Sequence, residues 1–276
     1  MADQRVNYFD IPNARIAVQE FGQGDPIMFI HGNPDSGELW GGVVQHLSSS
    51  YRCIVPDLPG YGRSTAAPDY DLSLDNRGRF VGQVADAVGI TGKFTVVAHD
   101  HGGPFGIAFA IQNPGRLRAL CIADTLFHHD YHWHFWGRVW RTPILGEISL
   151  ALTNWPIFVL ELRRGSGWQQ TIPIDHMRAT FRAFTPGMKR IWLRLYRETS
   201  PAIFTGWDEK FIALLNRVPT LVLWGARDPY IPVTFAERLQ AHGAELHRFP
   251  EYGHWLMVEA PDKFAHQIHD FLQRQL

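Results

Sequence analysis

Cysteine is nearly absent: Cys53 and Cys121 are the only two among 276 residues. Both lie inside apolar, strand-like runs, so they read as buried packing residues rather than as a disulfide framework or a redox pair. An excess of charge of one sign is lacking too. The chain carries 26 basic and 27 acidic side chains, a formal net charge of -1 and a pI of about 6.9. That balance excludes the surplus of Lys and Arg expected of a nucleic-acid binder or a polybasic membrane binder. The most apolar long stretch, Ile144 to Leu162, is broken by Glu147, Asn154, Pro156 and Glu161. A bilayer span needs roughly 20 nearly uninterrupted apolar residues, so this stretch reads as a lid or core segment. The first residues, Met1-Ala2-Asp3-Gln4-Arg5-Val6, lack the apolar core of a secretory leader, and the expected location is the cytoplasm. There is no internal repeat and no low-complexity segment.

What is present suffices for a large core, since 45% of residues are hydrophobic and 13% aromatic. Short apolar runs alternate with helical patterns, the signature of a mostly parallel sheet with crossover helices. Strands are predicted at 15-21, 26-31, 52-57, 94-99, 119-124, 220-225 and 244-249, with a further one near 5-10. Several are continuous apolar runs, such as Ile27-Met28-Phe29-Ile30 and Leu221-Val222-Leu223-Trp224, as expected of strands covered on both faces. Helices are predicted near 73-89, 103-113, 233-242 and 261-274, the last opening on Pro261. Between Asp124 and about Val218 the strand signal stops. That segment reads as an inserted helical cap over residues 126-218, splitting a core of 1-125 and 219-276, and its tryptophans read as packing residues.

Three pieces of sequence carry chemistry. Ala98-His99-Asp100-His101-Gly102-Gly103 ends an apolar strand and opens a helix, with small residues two before and two after Asp100. Such a tight strand-to-helix turn lifts one side chain above the sheet, although the short pattern also fits an Asp that merely starts a helix. Gly225-Ala226-Arg227-Asp228 puts an acid at the end of a buried strand, and Gly253-His254 follows the last strand. Nucleophile, acid and base thus fall in that chain order, each at the end of its own strand.

With His31-Gly32-Asn33-Pro34 and Asp57-Leu58-Pro59-Gly60-Tyr61-Gly62-Arg63-Ser64, these motifs resemble those of the α/β-hydrolase superfamily over nearly the whole chain. The resemblance implies an α/β-hydrolase fold: a mostly parallel eight-stranded sheet, helices on both faces and an inserted helical cap. Asp at the elbow, where Ser is usual, resembles the branch of haloalkane dehalogenases, haloacetate dehalogenases and epoxide hydrolases.

An Asp carboxylate, with a reference pKa of about 3.9, attacks without a base, and at a saturated carbon it leaves an ordinary alkyl ester. The resemblance therefore implies Asp100 as nucleophile, His254 as general base on water and Asp228 as the acid that orients it, with Asp124 as the alternative acid. Asn33 matches the halide-binding Asn of the haloalkane dehalogenases, and its backbone N-H would share an oxyanion hole with that of His101. His101 stands where those enzymes have a Trp donor. Epoxide hydrolases supply a proton from cap tyrosines; the comparable position here is Met177, leaving Tyr131 or Tyr196 as substitutes. Haloacetate dehalogenases hold a carboxylate with arginines, where this chain has His101 and Gly103-Pro104, although His132-Trp133 is similar to their halide-binding pair.

The expectation is a cofactor-independent hydrolase of small apolar substrates, haloalkane dehalogenase-like first and epoxide hydrolase second, with no nucleic-acid or membrane partner. A cofactor-free ring-cleaving dioxygenase, whose similar elbow carries Ser, and a noncatalytic ligand binder are more remote readings. The run from His128 to His134 places His128 and His132 four apart, but supplies no third ligand, and no metal is expected.

Overall fold

The computed structural model describes residues 6–168 and 172–275. Among these residues nine strands form one sheet: β1 Val6–Ile11, β2 Ala14–Phe21, β3 Asp25–Ile30, β4 Tyr51–Pro56, β5 Thr65–Ala66, β6 Phe94–Asp100, β7 Leu117–Thr125, β8 Thr220–Gly225 and β9 Glu245–Phe249. Eight of them run in the order β1-β2-β4-β3-β6-β7-β8-β9, the number of strands that the resemblance implies, while the two-residue β5 pairs with β2 outside that path. A strand of two residues leaves no periodicity to read. The pairings of β1 with β2 and of β2 with β4 are antiparallel, and those from β4 through β3 to β9 are parallel.

Period-two alternation explains how the continuous apolar runs are used. Met28, Ile30, Val96, Ala98, Val222 and Trp224 face one cluster, into which α2 (Leu74–Ala87) and α3 (Gly102–Gln112) pack Phe80, Val84, Phe105 and Phe109. Ile27, Phe29, Val97, Leu221 and Leu223 face the other, against α1 (Gly41–Leu47) and the amphipathic face of α12 (Pro261–Gln273). Cys53 and Cys121 are free thiols within this second cluster, and burial raises the pKa of both, to about 12 for Cys53. The oxygen of Ser73 caps α2 by accepting from the Asn76 N-H, and Pro261 opens α12.

Among the described residues, six helices lie between β7 and β8: α4 Phe135–Arg141, α5 Leu145–Leu152, α6 Trp155–Gly165, α7 Ile174–Ala183, α8 Pro186–Glu198 and α9 Trp207–Leu215. After β8 the chain adds α10 Thr234–Ala241 and the single turn α11 Leu256–Glu259. Three 3-10 turns, at Gly37–Trp40, Pro114–Arg116 and Pro201–Phe204, complete the elements among the described residues. The C-terminal ends of β3, β6, β7 and β8 lie side by side in the sheet, bringing His31, Asp100, Asp124 and Gly225 to one rim. No single helix among the described residues is long and apolar enough to cross a membrane.

Candidate active site

Asp100 is the last residue of β6, and its φ of 50° holds it in the left-handed region at the turn into α3. The turn works because its neighbours are small. A Cβ on Gly102 would lie 2.4 Å from the His31 carbonyl oxygen, and one on Gly32 would lie 2.4 Å from the Asp100 side chain. The Asn33 N-H donates to Asp100 Oδ1 at 2.7 Å, and the His101 N-H also donates to the carboxylate. Oδ1 therefore sits in a backbone donor site, and Oδ2 faces His254 Nε2 at 3.6 Å.

His254, on the loop between β9 and α11, is held from three sides. Its Nδ1 donates to Asp228 Oδ2 at 2.8 Å, its backbone N-H to Gly165 O at 2.8 Å, and its carbonyl accepts from His99 Nε2 at 2.9 Å. Asp228 is anchored by the backbone N-H groups of Tyr230 (2.7 Å) and Ile231 (3.2 Å) on its Oδ1. With Nδ1 donating, Nε2 is the nitrogen presented to Asp100. Asp124, at the end of β7, does not take part in this chain of bonds. Its Oδ1 accepts from the Gly225 N-H at 3.0 Å, and its buried Oδ2 has no partner.

Electrostatics separate the carboxyls. Burial raises the Asp100 pKa to about 6 against the opposing pull of His254 and the two backbone N-H groups. Burial, then the neighbouring Asp228 charge, pushes Asp124 well above the usual carboxylate range. Burial pulls His254 down, but the charge and hydrogen bond of Asp228, with Asp100 behind them, outweigh it and leave the imidazole raised. The two groups support each other's charge: Asp100 is one of the causes that raise His254, and His254 is the first to oppose the rise of Asp100.

Above this pair lies a small cavity of about 80 Å³. Asn33, Asp100 and His254 form its floor, and helices between β7 and β8 supply most of its walls. Trp133, Trp136, Trp140 and Trp192 all line it, contrary to their reading as packing residues. A sequence pattern shows that an indole is inside, and not which interior it faces. No Lys or Arg lines the cavity among the described residues, and its second carboxylate, Glu161, is bonded by Arg164 and by the Tyr230 hydroxyl.

The two residues expected around the leaving group part company. Asn33 lines the cavity; its Oδ1 accepts from the Tyr61 hydroxyl, and its Nδ2 is buried without a partner. His101 does not line the cavity. Its ring is fully buried, lies parallel to Trp133 at 5.9 Å, meets the Tyr196 ring at 4.7 Å and leaves both nitrogens without a partner. Burial, with Arg77 nearby, drives its pKa well below the usual value, so the ring is neutral. Met177 is buried among core side chains away from the cavity, whereas Tyr131 and Tyr196 both line it. The Tyr131 hydroxyl donates to the Tyr230 carbonyl; that of Tyr196 has no hydrogen-bond partner among the described residues. Of the histidine run, Trp133 and His134 reach the cavity, His132 is exposed and His128 stacks on Phe235. Among the described residues, no three potential ligands of a metal ion come together.

Asp35 was invisible as a functional residue in the sequence. Its buried carboxylate accepts from Trp255 Nε1 (2.8 Å), Thr180 Oγ1 (3.0 Å) and His176 Nε2 (3.1 Å). It thereby ties the loop carrying Asn33 to the residue after His254 and to α7. Burial alone would raise its pKa; the bond and charge of His176, with the Trp255 bond, turn the shift downward. Tyr61, inside a glycine-rich run, gave no signal either, because its task is to orient Asn33.

A model described as an alpha/beta hydrolase family matches residues 27–267. A haloalkane dehalogenase of Agrobacterium fabrum is 36% identical, over 96% of this chain and 91% of its own. A cis-3-alkyl-4-alkyloxetan-2-one decarboxylase of Shewanella oneidensis is 27% identical, over 91% of this chain and 83% of its own. Among solved structures, a point mutant of a provisionally assigned epoxide hydrolase from Pseudomonas aeruginosa superposes with a TM-score of 0.85 at 21% identity, covering 100% of this chain and 98% of the other.

Proposed function

Because the chain belongs to the α/β hydrolase family and is a hydrolase, we propose that it acts through Asp100 as a covalent nucleophile on a carbon-halogen bond of a small, neutral, apolar substrate. In this reading residues 126-218 are a cap over a core of 1-125 and 219-276. The observation that carries it is the elbow carboxylate itself, with Oδ1 held by backbone N-H and Oδ2 turned to His254 at 3.6 Å.

Oδ2 attacks the carbon, the bonding pair leaves with the halide, and an alkyl ester of Asp100 forms. Alkylation abolishes the Asp100 charge, one of the causes that raise the His254 pKa, and so favours the neutral imidazole. Its Nε2, with Nδ1 bonded to Asp228, then takes a proton from water as the hydroxide nucleophile forms. Hydroxide adds to the ester carbonyl carbon while the oxyanion on Oδ1 rests on the Asn33 and His101 N-H groups, and collapse expels the alkoxide, which takes the proton back from His254 and leaves as the alcohol. Asp228 orients the imidazole throughout. Asn33 Nδ2 is the direct halide donor, and the indole N-H of cavity-lining Trp133, also buried without a partner, is the second. His101 contributes its backbone N-H, while its ring supports Trp133 and Tyr196. The 36% identity to a haloalkane dehalogenase supports this choice of bond, and the lack of a lining Lys or Arg among the described residues disfavours a haloacid.

One observation favours a second reading. The Tyr196 hydroxyl in the cavity has no partner to give up, which suits protonation of an oxygen leaving group from an epoxide or another strained cyclic ether or ester. The oxetanone decarboxylase relative acts on an oxygen ring of that kind.

A single turnover in H₂¹⁸O tests the covalent step. With enzyme in excess, the first alcohol is expected to carry ordinary oxygen from Asp100 while the heavy isotope enters the protein carboxylate. Heavy oxygen in the first alcohol refutes the nucleophile. Parallel haloalkane and epoxide panels then decide the leaving group.

A further inference from the structure

Of the ten large hydrophobic side chains that stand exposed among the described residues, nine lie between Phe135 and Ile174. Six of these belong to the bend between α5 and α6: Ile144, Leu145, Ile148 and Leu152 on one side, Ile157 and Leu160 on the other, with Ile144 72% and Leu152 67% exposed. Soluble surfaces scatter such residues singly, and a contiguous group of them marks an interaction site. The two helices meet at 104°, with eight and eleven residues, too short and too bent for a span but shaped to lie along an interface.

Two observations indicate what covers this face. The first is charge. Residues 126-218 hold twelve Lys and Arg against seven Asp and Glu, a formal +5 in a chain whose total is -1. The whole-chain balance conceals this partition. Around the bend, Arg138 and Arg163 are exposed, the Lys189 ammonium bonds the Leu150 carbonyl, and Glu147, the one acid on α5, is neutralised by two 2.8 Å bonds from Arg197. The second is continuity with the catalytic cavity. Leu150 and Ile157 line that cavity from the same two helices and Thr153 from the turn between them, and Ile157 is at once exposed and lining, so the apolar surface runs into the cavity wall.

We propose that the α5–α6 bend is a docking surface for an anionic lipid interface, from which an apolar substrate passes along Ile157 into the cavity. The apolar side chains enter the acyl boundary, the flanking cations meet the headgroups, and the cavity mouth is set against the phase in which an apolar substrate collects. A neutral or acidic rim would suit a protein partner or a second copy of the chain equally well; the local positive charge selects a negatively charged surface.

The test is flotation of the full chain with vesicles of phosphatidylcholine alone and with a third of phosphatidylglycerol. Binding is expected to the anionic vesicles, weak to the neutral ones, and to fall as salt is raised from 50 to 500 mM. The variant Ile148→Asp/Leu152→Asp, altered only at exposed positions, is expected to lose at least tenfold in partitioning with an unchanged circular dichroism spectrum. Should that variant not fold, Arg138→Glu/Arg163→Glu is read in its place, with the same expected loss on anionic vesicles. Failure of the wild-type chain to float with either composition overturns the proposal. So does equal binding to both, or a concentration-dependent dimer that the Asp variant dissociates without any vesicle binding.

Discussion

The tyrosine beneath the leaving-group site offers a sharp perturbation. Tyr61 is 2% exposed, and its hydroxyl donates to Asn33 Oδ1, which leaves Nδ2 as the end of the amide directed to the cavity. Tyr61→Phe keeps the ring and deletes that donor. The Asn33 oxygen is then buried without a partner, a state that costs about 1–3 kcal/mol. The amide relieves it by turning over, which replaces the N-H donor facing the halide by an oxygen that repels it. If the same energy is lost from the displacement transition state, the alkylation rate falls roughly five- to 150-fold. Ester hydrolysis uses His254 and the backbone N-H groups instead, so its rate is expected to change less than threefold. Rapid-quench measurement of the halide burst, followed by the slower appearance of alcohol, separates the two steps. Alkylation within twofold of wild type, in a variant whose urea midpoint has dropped, refutes the orienting role and reduces Tyr61 to packing.

Further expectations follow from the same geometry. Asp228→Asn is expected to lower turnover by up to about 10⁴, the effect of losing the imidazole's orienting acid, while Asp124→Asn stays within threefold; the reverse outcome makes Asp124 the acid. Because the Asp124 pKa is raised in the fold, the unfolded chain gains by ionising above the ordinary Asp pKa while the folded one does not, so Asp124→Asn is expected to raise Tm at pH 7 more than at pH 4, as scanning calorimetry would show. Asp100, at about 6, must be ionised to attack, so the burst rate should fall tenfold per pH unit below about 6; a midpoint near 4 contradicts the burial argument. Asp35 is shifted the other way, so the stability it contributes is present at neutral pH and lost as pH falls through its depressed folded pKa: Asp35→Asn should cost about 2 kcal/mol at pH 7 and progressively less in acid. Tyr196→Phe is expected to leave haloalkane turnover intact and to abolish epoxide opening, measured on the two panels side by side.

The strands were the legible part of the fold. Ile27-Met28-Phe29-Ile30 and Leu221-Val222-Leu223-Trp224 became β3 and β8 because a strand covered on both faces must be apolar at every position. The helix near 73-89 appears at Leu74–Ala87, where Ser73 announces its start. The six helices between β7 and β8 were legible as a group but not one by one, since aromatic residues there serve both packing and cavity walls. At the site, Asp100, Asp228, His254 and Asn33 come together. Each terminates a strand or follows one closely, and strand ends are what the pattern marks. Asp35 and Tyr61 act through contacts across the chain, such as Thr180 to Asp35 over 145 positions, and no local pattern encodes those. The ring of His101 differs from its expected setting because Trp133 and Tyr196 lie against it, which a neighbouring position in sequence cannot convey.

A reaction that runs through a covalent ester on Asp100 leaves that ester open to trapping. His254→Ala removes the base for the second step and spares the first, so incubation with a 1-haloalkane should add the mass of the alkyl group to the intact protein, with one halide released per chain and the added mass on the peptide containing Asp100. Asp100→Asn in the same background should show neither. Steady halide or alcohol production by His254→Ala/Asp100→Asn, or an adduct on any other residue, would contradict the account.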